Sequence, residues 1–237
     1  MVSFIAVGIL LYTLPFSIIA VHALREYLKD KEDSKKKHVF YAFASWSVGF
    51  TLDLIGALLV APEMSPARIM VINVLFRLFD AFNVIGLFWL FIFLKDFMPQ
   101  LKKYIIPTLA YLSITLIVIF ATPAAFHLTT GTEYIIDRAE IRNFAIIFFW
   151  FLYWGVIAYQ FWSYSKLMTH KIAIRRSQTM GIGAVSAILA YVLVITAEAF
   201  QSMTQVYLAE IFAILAGVVF YAGFVAPERL RRMWGKQ

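Results

Sequence analysis

Cysteine is absent from this 237-residue chain, and charged residues make up only 15% of it. The first absence excludes disulfides, thiolate nucleophiles, iron–sulfur clusters and Cys-ligated zinc. The second leaves too little charge to cover a soluble domain of this size. Catalytic signatures are missing too: no GxSxG, HExxH or phosphate-cradling glycine loop occurs, and Gly181-Ile182-Gly183 is too short and too deep in an apolar run to serve as one. These absences point away from an enzyme, and no catalytic residue is assigned.

Apolar sequence is what the chain has in abundance, with 62% hydrophobic and 17% aromatic residues. Runs bounded by charge, proline or glycine lie at 3–24, 39–61, 67–94, 104–124, 141–164, 178–200 and 205–226. Each approaches or exceeds the roughly 20 residues that cross a bilayer as a helix. The pattern predicts an all-α integral membrane protein, a single domain of seven transmembrane helices. The third run is longer than a span requires and contains Arg77 and Asp80, so it is expected to tilt or to extend past the hydrocarbon at one end.

The net charge of +7 follows the loops. Of 21 Lys and Arg residues, seventeen lie in 25–38, 95–103, 165–177 and 227–237; Arg68, Arg138 and Arg142 are on the opposite side, and Arg77 is within helix 3. Positive-inside logic then predicts an external N-terminus and a cytoplasmic C-terminus in a multi-pass protein of the plasma membrane. Topology accounts for the basic excess, so nucleic acid is not expected as a partner. The first helix has Arg25 after it and no basic residue before it, which favours a retained anchor over a signal peptide despite Val21-His22-Ala23. Residues 25–38 are expected to form a solvated cytoplasmic loop with some helical character, with Ser34–Lys37 suited to anionic lipid headgroups. The longest external connection, 122–140, carries His127, Glu133, Tyr134, Asp137, Arg138 and Glu140 and reads either as a solvated loop or as a lid over a pocket.

Polar groups at membrane depth are costly and usually face the bundle interior. Asn73, Arg77, Asp80 and Asn83 recur along one side of helix 3. Arg77 lies about 15 Å and Asp53 of helix 2 about 12 Å from the outer surface, which would let them pair, with Asp80 competing for the same guanidinium. Glu198 and Glu210 flank the short connection between helices 6 and 7 and sit either at the water interface or in a shared outer cavity. Together these seven residues are the candidate ligand-binding set; the competing reading is a charge cluster that orients helices. Helix 5 is rich in aromatics, and its central Trp150, Tyr153 and Trp154 either pack the core or wall a lipophilic ligand. Small residues at four-residue spacing, Gly183 with Ala187 and Ala209 with Ala213 and Gly217, suit close helix contact.

Arg77 and Asp80 resemble in spacing the arginine and counter-ion carboxylate of microbial rhodopsins, but every lysine lies in or beside a basic loop, leaving none on helix 7 for a retinal Schiff base. The four histidines sit at helix ends or in a loop, against bis-histidine haem. His22, His38 and His170 resemble in outline the zinc site of the progestin and adiponectin receptor family, whose paired histidine motifs are absent. No metal or cofactor is predicted. Met98-Pro99-Gln100 resembles the PQ-loop carriers but occurs once and in a charged loop.

The closing stretch, Phe220-Tyr221-Ala222-Gly223-Phe224-Val225-Ala226-Pro227-Glu228-Arg229-Leu230-Arg231-Arg232-Met233-Trp234, resembles the exit from the multi-helix sensor modules of prokaryotic histidine kinases and related signalling proteins. The seven-helix, N-out arrangement with Trp46 in helix 2 resembles them more generally. The resemblance implies a receptor-like or signalling-accessory module; with no kinase domain before Gln237, a signal would pass to a separate cytoplasmic protein. The leading expectation is therefore a non-enzymatic membrane module with a polar outer-half cavity for a small ligand or lipid. Two alternatives remain: an accessory subunit of a membrane redox or transport complex, and a small ion-coupled permease. Because the chain lacks cysteine, topology is directly testable. Single cysteines replacing Ser34 and Ser202 should differ in intact cells, only Ser202→Cys reacting with an impermeant maleimide; the reverse pattern would invert the orientation.

Overall fold

The computed structural model describes residues 3–122, 124–130 and 133–236. Helices α1 (Phe4–Lys29), α2 (Ser34–Leu59) and α3 (Pro66–Lys95) are followed by a 3-10 turn at Pro99–Tyr104 and by α4 (Ile105–Ala121). Strands β1 (Ala124–Thr130) and β2 (Glu133–Arg138) come next, then α5 (Glu140–Ser165), α6 (Lys171–Phe200), α7 (Met203–Phe224) and a short α8 (Glu228–Lys236). Among the described residues seven helices are long and apolar enough to cross a membrane, the 3-10 turn counting with α4 as one span. The chain is a multi-pass helical bundle.

Helix starts follow local chemistry. Ser3 accepts from the Ile5 amide at 3.1 Å, and Ser65, followed by Pro66, accepts from the Arg68 amide at 3.3 Å. Asp33 accepts from the amides of Lys35 and Lys36, and the helical character expected within 25–38 extends to all of it but the turn at 30–33. Three lysines in a first helical turn oppose the helix dipole, but the Asp33 cap and the 3.2 Å Lys36–Asp30 ion pair offset them. Helix α6 likewise begins at Lys171 rather than 178, because the polar turn Lys171–Ser177 is helical beyond the apolar span.

Six helices form a closed ring in the order α1, α2, α3, α5, α6, α7, and α4 packs outside it against α3 and α5. The expected external loop is an antiparallel hairpin, pairing Ala124 with Arg138 and Leu128 with Tyr134. Tyr134 and Ile135 are buried beneath it, and Phe76 of α3 meets both Phe126 and Tyr134. The early turns of the long α3 thus pack against the hairpin. The side chain of His127 lies outside the described residues.

At the ring's centre Trp46 stacks on Trp154 at 5.4 Å, and Trp154 on Phe220 at 5.5 Å. Trp46 donates its indole N–H to the Asn83 carbonyl at 3.1 Å. Gly86 makes room for it, since a Cβ there would lie 2.7 Å from the indole nitrogen. At the end away from the hairpin, Arg176 donates to the carbonyls of Gly223 and Phe224, both at 2.9 Å, closing α7 with a cation where the dipole favours one.

The same end holds Asp96, 2.7 Å from His38 Nδ1 and 3.0 Å from Lys95 Nζ. Burial raises the Asp96 pKa, but the hydrogen bonds from Lys95 and His38 outweigh it and hold the carboxyl below the ordinary Asp value. Its stabilisation is therefore complete above about pH 3.9 and lost as pH falls through the lower folded value. Thermal melts of the purified protein should show Asp96→Asn less stable than wild type at pH 7, with the gap closing below about pH 4.

Candidate functional site

Asp80 sits midway along α3 and meets the end of β2 and the start of α5. Its carboxylate accepts Arg138 Nε at 3.0 Å and Nη2 at 3.3 Å, and Arg142 Nε at 3.1 Å and Nη2 at 2.5 Å. Arg138 Nη1 also donates to Glu198, whose second oxygen accepts Asn143 Nδ2 at 2.8 Å. Two carboxylates and two guanidiniums thus form a neutral cluster joining β2, α3, α5 and α6, and Arg142 is wholly inaccessible to solvent. Burial disfavours the charged form of Arg138, yet the carboxylates of Asp80 and Glu198 more than offset it and raise its pKa above the ordinary value.

Beside this cluster lies a cavity of about 160 Å³ inside the helix ring. Arg138, Glu198, Asp53 and Glu210 contribute its charged groups. Its wall is aromatic: Trp46 and Phe50 from α2, Trp150 and Trp154 from α5, and Tyr191 from α6. Trp150 stacks on Tyr191 at 4.4 Å. The hairpin covers the cavity through Tyr134, whose buried hydroxyl has its pKa raised well above 10.0, first by desolvation and then by the charge of Asp53. Glu133 fastens the hairpin to α1 by accepting the amides of Phe4 at 2.6 Å and Ile5 at 3.4 Å, a carboxylate at a helix N-terminus.

The candidate residues separate in space. Asp53, Asn83, Glu198 and Glu210 line the cavity with Trp150 and Trp154, and Asp80 reaches it through Arg138. Arg77 does not pair with Asp53: it donates to the Phe120 carbonyl at 3.3 Å, at the end of α4. At 100° per residue, positions 77 and 83 of a helix diverge by about 120°, so the polar stripe fans across two interfaces. Asn73 is half-buried and outside the cavity lining. Tyr153 turns away from the cavity wall, donating to the Thr108 hydroxyl at 2.9 Å and packing on Phe149. Tyr12 of α1 takes the place expected of Arg77, its hydroxyl donating to Asp53 at 2.8 Å.

Arg138 and Arg142 are central to the site yet were expected only as loop or boundary charges. A usable signal existed: they are four residues apart, enter an apolar helix, and sit on the face poor in basic residues. Of the small-residue pairs, Ala187, Ala209 and Ala213 border the cavity, whereas Gly183 faces Phe220 and Gly217 faces Pro15. No known family model matches the chain, and no curated protein matches its sequence.

Removing one member of a buried ion cluster leaves a charge uncompensated, typically at about 3–5 kcal/mol. Arg142→Ala should lose that much in denaturant titrations in detergent. The double variant Asp80→Leu/Arg142→Met should lose less than the sum of its single changes, the signature of direct coupling.

Proposed function

We propose that this protein is a receptor-like or signalling-accessory membrane module that captures a small ligand or lipid in the cavity under the hairpin. The cavity itself carries the reading. A packed bundle has few voids larger than a water molecule, and one of about 150 Å³ already holds a benzene-sized guest; here about 160 Å³ is bordered by aromatic rings and by Asp53 of α2, Glu210 of α7, Glu198 and Arg138. Concave, mostly apolar sites with a few converging polar groups are the usual form of small-molecule sites. The hairpin end faces outward in the plasma membrane in this proposal, in keeping with the basic residues of the opposite end. There, α8 with Arg229, Arg231 and Arg232, and the basic start of α6 that it contacts, offer a surface to a cytoplasmic partner or to anionic lipid headgroups.

Filling the cavity tests the reading. Ala213→Phe places a ring among the lining residues on α7 while keeping the helix apolar. Native mass spectrometry of protein extracted gently from its own membrane should find a non-covalent small molecule on wild type that Ala213→Phe loses without losing its fold. Equal retention by both would remove the cavity as the binding site.

A further inference from the structure

The acids around the cavity divide into two pairs. Asp80 and Glu198 are matched by Arg138 and Arg142. Asp53 and Glu210 have no ion-pair partner among the described residues. Asp53 is 5% exposed and accepts only the Tyr12 hydroxyl; Glu210 is 9% exposed, and its Oε1 is buried without any hydrogen bond. Both line the same cavity and meet the same stretch of α1: Tyr12 holds Asp53, and Glu210 packs against Gly8, where a Cβ would overlap its carboxylate. Positions 8 and 12 are neighbours on one helical face, so the two acids share one corner. Asn83 adds another acceptor to the lining, its buried Oδ1 also without a partner.

The geometry points to a small organic cation as the ligand, a protonated amine or quaternary ammonium with an apolar body, held by Asp53 and Glu210 as counter-ions. The inference rests on the cavity being a ligand site. Its chemistry follows from the wall. Aromatic faces attract a desolvated ammonium through their quadrupoles, and the rings of Tyr12, Phe50, Trp46 and Trp154 border the same space. An inorganic cation is served poorly here: hard cations take six or more oxygen ligands or retained waters, and no group of three or more metal-ligating side chains converges among the described residues. An anion would meet two uncompensated carboxylates. A neutral apolar guest would make no use of either acid and leave their charge to be balanced by protons.

Isothermal titration calorimetry on the detergent-purified protein, at fixed ionic strength and pH 7, separates these cases. The probes are 2-phenylethylamine and tetramethylammonium as cations, 2-phenylethanol as a neutral counterpart, phenylacetate as an anion, and sodium chloride. At least one organic cation is expected to bind, 2-phenylethanol at least tenfold more weakly, and phenylacetate not at all. Glu210→Gln and Asp53→Asn should each weaken cation binding at least tenfold, and Glu228→Gln on α8 should leave it unchanged. Binding of the alcohol as tight as that of the amine would overturn the cation assignment while leaving the cavity reading intact. Displacement of the amine by sodium at low millimolar concentration, or no heat from either cation, would overturn it too. In the latter case the native mass spectrometry comparison of wild type with Ala213→Phe separately decides whether the cavity binds anything. Should either carboxyl variant fail to fold, the wild-type comparison of amine with alcohol still decides.

Discussion

The clamp of Asp80 by Arg138 and Arg142 sets the geometry of the rest of the hairpin end. Asp80 lies fourteen residues beyond Pro66, about 21 Å along α3. Two arginines from the start of α5 and the residues before it reach that carboxylate, so α5 must begin level with the middle of α3. Chain preceding α5 then has no helix to continue into, and the hairpin occupies the space beside the early turns of α3. Taking a charge out of water costs several kcal/mol, and a buried pair survives only with satisfied geometry. Bidentate contacts from Arg138, its second contact to Glu198, and the Asn143 hydrogen bond supply most of that geometry, leaving Arg142 Nη1 buried without a partner. The cluster therefore couples a helix start to a strand end and holds the cover over the cavity.

A second constraint comes from size matching at the ring's centre. Exclusion of α4 lets α3 meet α5 directly, and six helices surround the stacked Trp46, Trp154 and Phe220. These rings fill the bundle away from the hairpin, where Gly86 and Gly183 give their faces room. Toward the hairpin the facing residues are alanines, among them Ala187, Ala209 and Ala213, and the space they leave is the cavity. The same small-residue spacing thus serves two ends: against an aromatic ring it gives contact, and against other alanines it gives a void.

Helix number was legible in the sequence because hydrocarbon thickness imposes one length scale on every span, which composition reports directly. Boundaries were less so. Hydropathy follows solvent preference, whereas Lys171–Ser177 and Ser34–Lys37 are helical for reasons of capping and propensity that polar composition conceals. The hairpin was read as a loop because its alternating residues form a short segment with charged groups at one end, and what buries Tyr134 and Ile135 is a tertiary neighbour, Phe76 among others. At the site, depth was the informative quantity: Asp53, Asp80, Glu198 and Glu210 were identifiable as polar groups in apolar runs. Their partners were not. A helical stripe fixes angle only to within its own fan, which is why Arg77 was grouped with Asp53 although it turns toward α4.

The contrast between the two pairs of acids bears on what the cavity is for. A purely architectural polar cluster has every reason to be neutral, because each unpaired ion in a low-dielectric interior subtracts from stability. This chain contains such a cluster, with two arginines, bordering the same cavity as Asp53 and Glu210. The means of neutralising buried carboxylates are thus present in the sequence, and they are used for one pair and withheld from the other. Withholding them leaves Asp53 and Glu210 dependent on something mobile, a proton or a bound cation, to complete the charge balance. Around them stand rings able to attract a cation, and above them a hairpin fixed to both α1 and the neutral cluster. On the proposal advanced above, the paired ions belong to the architecture of the hairpin end, and the two further acids are the groups whose charge a bound cation would balance.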